Sequence, residues 1–131
     1  RGHDRDAIIA YNRRMIELIG SPDYPITGEE LQELASRGFD RCYYPAGIIR
    51  HVAAIIEDGD RRSRLRRIEA PTLVIHGRED PLVPLAGGID TAENVAGAKL
   101  EIVDGMGHNL PQELLPRLVE LIAGHARQTT A

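Results

Sequence analysis

The 131 residues carry 20 acidic against 16 basic side chains, a net charge of −4 that gives no reason to expect a nucleic-acid partner. Hydrophobic residues at 42% and charged residues at 27% fit one soluble globular domain and exclude a disordered chain. No apolar run approaches the ~20 residues needed to cross a bilayer, and no signal peptide stands at this N-terminus. With Cys42 as the only cysteine, an internal disulfide framework is excluded too, and the expected location is the cytoplasm with no membrane partner.

Taken in chain order, residues 6–19 place Ile8, Tyr11, Met15, Leu18 and Ile19 near the helical period, so they fall on one face. Gly20-Ser21-Pro22 should end that helix. Thr27-Gly28-Glu29-Glu30 has the form of a capping box, in which hydroxyl and carboxylate each satisfy an orphan backbone N–H. A second helix is expected over residues 27–37, with Leu31 and Leu34 inward and Gly38 as its stop. Pro45 suits the first turn of a third helix, where its missing N–H costs nothing. That helix draws its apolar face from Ile48, Ile49, Val52, Ile55 and Ile56, and Asp58-Gly59-Asp60 closes it.

Arg61-Arg62-Ser63-Arg64-Leu65-Arg66-Arg67 follows, a basic run without aromatic interleaving that reads as a solvated connector with Leu65 and Ile68 turned inward. Residues 72–76 are β-branched and apolar without alternation, as in a strand covered on both faces. Residues 85–95 suggest a helix weakened by Gly87 and Gly88, and residues 99–103 a second strand. The crossover is long enough to make the two strands parallel. A last helix carries Leu114, Leu115, Leu118, Leu121 and Ile122, with Pro116 near its first turn. The chain thus divides into a helical segment at 1–60, an Arg-rich connector at 61–69 and an α/β portion at 70–131. Two parallel strands alone leave both edges unpaired, so a neighbour is expected, either a further part of the same sheet or a second copy.

Functional groups in such a sheet gather beyond the carboxyl ends of the strands. Asp80 lies just after the first strand and His108 just after the second, so adjacent strands should bring both to one edge. A carboxylate there can fix the tautomer of a histidine and stabilise the imidazolium formed in reaction. Gly105 and Gly107 suit a tight turn holding the ring out of the core. Alone, Asp80-Pro81 reads as a turn and His108 as a structural residue; their combination carries the argument. His76 reads as a packing or hydrogen-bonding residue. His3, His51 and His125 have no partner pattern. A metal site on His76, Asp80 and His108 has no ligand spacing in its favour, and neither metal nor cofactor is expected. Tyr43 and Tyr44 are candidates to line a substrate pocket, or equally to form a local core with Phe39.

The joint pattern Pro71-Thr72-Leu73-Val74-Ile75-His76-Gly77-x-x-Asp80-x-x-x-Pro84, then a crossover helix, a strand and Gly105-x-Gly107-His108, resembles the C-terminal portion of the α/β-hydrolase fold. The resemblance covers residues 65–126. The preceding helices fit the lid (cap) of that family, and Asp40-Arg41-Cys42-Tyr43-Tyr44-Pro45-Ala46-Gly47 is similar to lids of bacterial carboxylesterases of the aclacinomycin methylesterase type. It implies an α/β architecture, a helical lid followed by two parallel strands with flanking helices. It also implies a Ser-His-Asp triad with Asp80 as acid and His108 as base, acting on a small ester-like substrate. The family's nucleophile sits on a G-x-S-x-G elbow ahead of the acid. Ser21, Ser36, Ser63 and Cys42 all lack that context, and the chain opens at Arg1 without Met. The expectation is therefore the C-terminal half of a larger hydrolase, partnered by the N-terminal half or by a second copy. Epoxide hydrolases, haloalkane dehalogenases, lactonases and cofactor-free haloperoxidases share this acid and histidine placement. A non-catalytic fragment or complementation module is the reading from a different class.

Overall fold

A computed structural model describes residues 4–129; His3 lies outside them. Helix α1 (Arg5–Ile19) begins at Asp4, whose carboxylate accepts the N–H groups of Asp6 and Ala7, two donors the helix itself cannot satisfy. It packs on α2 (Gly28–Arg41) through Ile9, Leu31 and Ala35, all buried. Arg5 forks onto the carboxylate of Asp40 at 2.8 and 2.9 Å and ties the far ends of the two helices.

Three expectations for α2 fail. Thr27 is its N-cap residue, yet the hydroxyl makes no capping bond. Gly28, the first helical residue, sits at φ +60°, so the backbone enters off helical geometry and takes the first amides out of reach. Gly38 does not stop the helix either, which runs on to Arg41 before Cys42 closes it. An interior glycine costs a helix only about 1 kcal/mol, and the turn beyond it is held by Asp40 on Arg5 and by Phe39 stacked on Tyr43 at 5.1 Å. Leu34 is exposed, and Ala35 takes the inward place beside Leu31.

Helix α3 (Pro45–Asp58) forms as expected with Pro45 in its first turn, but none of its residues is buried. Ile48, Ile49, Val52, Ile55 and Ile56 are each at least half exposed. The connector contains a single helical turn, α4 (Arg62–Leu65), and three of its arginines are ion-paired. Arg61 and Arg64 pair with Asp58, and Arg62 with Asp90.

Strand β1 (Leu73–Gly77) lies parallel to β2 (Lys99–Val103), joined by α5 (Leu85–Asn94), with Leu73 opposite Lys99 and Gly77 opposite Val103. Gly88 lets α5 approach β1: a Cβ there would stand 2.6 Å from Cδ2 of His76. The expected double coverage of β1 is not met, since Leu73 to His76 are only half buried. A 3-10 turn (Gln112–Leu114) leads into α6 (Leu115–Thr129). Val103, Met106, Leu114 and Leu118 form the core beneath the strands, with Tyr24 and Ile75 against it. Leu115 and Ile122, assigned to the same face of α6, are exposed.

Candidate active site

Both strands end in turns that pair with each other. The Arg78 N–H donates to the Val103 carbonyl at 3.0 Å and the Glu79 N–H to the Met106 carbonyl at 3.1 Å, so strand pairing continues past Gly77. A Cβ at Gly77 would fall on the carbonyls of Met106 and Gly107, and only glycine permits that approach. Gly105, at φ +73°, turns the chain after β2, and its N–H donates to the Glu79 carboxylate at 2.7 Å. These bonds hold the two turns side by side at the carboxyl edge of the sheet.

On that edge Asp80 divides its work between its two oxygens. Oδ1 accepts the N–H groups of Leu82 and Val83 at 2.9 and 2.8 Å, which locks the carboxylate plane. Oδ2 is then aimed at Nδ1 of His108, 2.8 Å away, although 28 residues separate the two in sequence. The Asp80 side chain is 7% exposed and that of His108 38%. Burial pushes the Asp80 carboxyl up, but the Val83 N–H, the His108 hydrogen bond, the Leu82 N–H and the nearby imidazole charge outweigh it, and the group lies below the ordinary carboxylate range. An ionised carboxylate can only accept, so Nδ1 carries the proton and Nε2 of the neutral ring keeps its lone pair. The arrangement is a held base able to take a proton at Nε2 while Asp80 balances the imidazolium.

The pair opens onto a pocket of about 250 Å3 lined also by Ile75, His76, Val83, Met106, Asn109 and Leu110, with no Ser, Thr or Cys among the described residues of its wall. His76 packs against Gly88, and its Nδ1 lies 2.8 Å from the Gly77 carbonyl. Among the described residues no group of three or more His, Cys, Asp or Glu is arranged to hold a metal ion. Tyr43 and Tyr44 are not brought to this pocket. They line a separate groove of about 860 Å3 between α1 and α3, where the Tyr44 hydroxyl accepts from Arg50 at 2.6 Å.

Sequence reasoning passed over the residues behind His108. Ser21, 3% exposed, accepts the Gly107 N–H at 2.8 Å and donates to Oδ1 of Asn109. The Ile19 carbonyl accepts the His108 N–H at 2.8 Å. Gly20-Ser21-Pro22 signalled only the end of a helix, and nothing local in it points 86 residues ahead.

An acid and a histidine delivered by adjacent parallel strands to one sheet edge are the arrangement that the resemblance to the α/β-hydrolase fold implies. Comparison with known proteins agrees on the fold. The family model described as TAP-like protein, an abhydrolase model, matches residues 54–113. The 2-hydroxymuconate semialdehyde hydrolase of Pseudomonas sp. (strain CF600) is 28% identical over 96% of this chain and 48% of its own length. Rhodomycin D methylesterase DauP of Streptomyces sp. (strain C5) is 33% identical over 53% of this chain and 24% of its own length. The solved meta-cleavage product hydrolase CumD of Pseudomonas fluorescens IP01 superposes with a TM-score of 0.69 at 21% identity, covering 92% of this chain and 46% of that one. The chain has the C-terminal portion of the α/β-hydrolase fold and spans about half the length of the relatives that align over nearly all of it.

Proposed function

We propose that this chain supplies the acid, Asp80, and the base, His108, of a hydrolase that cleaves a small carboxylic ester through an acyl-enzyme. The nucleophile would come from a segment beyond this sequence, the N-terminal half of the same fold. In the forward step Nε2 takes the nucleophile's proton as its oxygen adds to the ester carbonyl. The tetrahedral intermediate then expels the alcohol, which receives that proton from the imidazolium. Water repeats the sequence and releases the acid. The observation that supports this reading best is the 2.8 Å bond between His108 Nδ1 and an Asp80 carboxylate whose other oxygen is fixed by two backbone amides. On this proposal the 131 residues alone are inactive, because the pocket wall holds no hydroxyl or thiol among the described residues.

Ester turnover by the complete protein tests it. His108→Ala should lower kcat by roughly 10^4-fold or more and Asp80→Asn by somewhat less, as in other triads. Near-normal turnover in either variant removes the assignment. A second reading, action on a meta-cleavage product such as 2-hydroxymuconate semialdehyde, is favoured by the relative that aligns over 96% of the chain. Parallel assays on a simple ester and on that semialdehyde separate the two. The methylesterase relative favours the ester.

A further inference from the structure

Residues 19 to 23 run alongside residues 105 to 109. The His108 N–H donates to the carbonyl of Ile19, the last residue of α1, which has no helical donor left to receive. On one side of His108 the Gly107 N–H donates to Ser21 Oγ at 2.8 Å, and on the other that hydroxyl donates to Asn109 Oδ1. A Cβ at Gly107 would fall on the Gly20 carbonyl, and the Asp23 N–H donates to the Gly105 carbonyl at 3.3 Å. Asp80 bonds to the ring of His108; the backbone of the His108 loop is held on one side by Glu79, through Gly105 and Met106, and on the other by the end of α1.

Ser21 is 3% exposed, its proton is spent on Asn109, and it has no strand before it, so it is placed as a bracket and not as a nucleophile. From this geometry we infer that Ser21 is a positioning residue for His108. Its single hydroxyl clamps the residues on both sides of the histidine, so the seating of α1 sets how squarely Nδ1 meets Asp80. Two constraints then aim the ring: Asp80 from in front, and the α1 terminus from behind. Displacing α1 would loosen the histidine without touching it. The inference rests on the proposed acid and base roles of Asp80 and His108.

The test is a ring 1H–15N correlation spectrum of the purified complete protein at neutral pH, with the His108 signals assigned by their absence from His108→Ala. The parent protein should show a single tautomer protonated at Nδ1. Ser21→Ala should replace it by an averaged pattern, and kcat should fall about tenfold to a hundredfold with KM within about twofold, the behaviour of a misplaced catalytic group. Asp80→Asn should also abolish the single tautomer. If Asp80→Asn does so while Ser21→Ala keeps the parent pattern and kcat, the positioning role is wrong and the acid–base pair stands. If Asp80→Asn leaves the pattern intact, the pair itself is wrong, and the inference falls with it. Should Ser21→Ala fail to fold, Asn109→Ala removes the other end of the bracket from a half-buried position. An averaged pattern there supports the inference, and an unchanged one overturns it.

Discussion

The carboxylate of Asp80 is held by three donors that all favour its charged form, and this has a consequence for stability as well as chemistry. Its pKa lies below that of an aspartate in an unfolded chain, about 3.9. The native state therefore binds fewer protons than the unfolded one across that window. Stability from Asp80 is fully present above the unfolded value and is lost as pH falls through the folded one. The gap in melting temperature between the parent protein and Asp80→Asn should accordingly be largest near about pH 6 and shrink towards about pH 3. A gap that stays constant over that range would mean the carboxylate gains nothing from its three partners. His108 and Asp80 were legible in the sequence because each follows a short apolar strand and a turn signal, both local features. Ser21 was not, since its role depends on a contact across 86 residues that no periodicity encodes.

At the level of elements, two glycines of the same chain should respond in opposite ways. Gly77 ends β1 where the Met106 and Gly107 carbonyls occupy the space of a Cβ, so Gly77→Ala must push the two turns apart. The expected cost is about 1–3 kcal/mol, the usual range for overpacking, with a loss of activity that follows the separation of Asp80 from His108. Gly38 lies inside α2 with a negative φ, and a Cβ added there would meet nothing within 4 Å, so Gly38→Ala should stabilise by roughly 0.5–1 kcal/mol. Chemical denaturation of the two variants reads both effects, and destabilisation by Gly38→Ala or neutrality of Gly77→Ala would contradict the packing described. The same contrast explains what the sequence showed of the helices. Their periods announced α1, α2, α3 and α6 and both strands within a few residues. Which apolar face finds a partner is a property of other elements, and for α3 and for Leu34 the sequence pattern promised burial that the described residues do not provide.

At the scale of the whole molecule, β1 is half buried, the two-stranded sheet has no further strand on either edge among the described residues, and α3 exposes five branched apolar side chains in one stretch. Such surfaces are covered in stable proteins. The 131-residue chain on its own should therefore self-associate, and light scattering should report a dimer or larger species. Ile48→Glu with Ile55→Glu should shift it towards monomer, and a stable monomer of the parent chain in dilute solution would contradict the expectation. Among the described residues no helix is long and apolar enough to cross a membrane.

On the proposed function, His108, aimed by Asp80, activates a nucleophile supplied by the rest of the fold. The rate at which a serine-directed fluorophosphonate labels the complete protein measures that activation directly, because the reagent reacts only with a serine whose proton is being taken. Labelling should map to a serine other than Ser21, Ser36 or Ser63, and His108→Ala should slow it by about 10^3-fold or more while the protein remains folded. Labelling at an undiminished rate in His108→Ala, or labelling of one of those three serines, would contradict it.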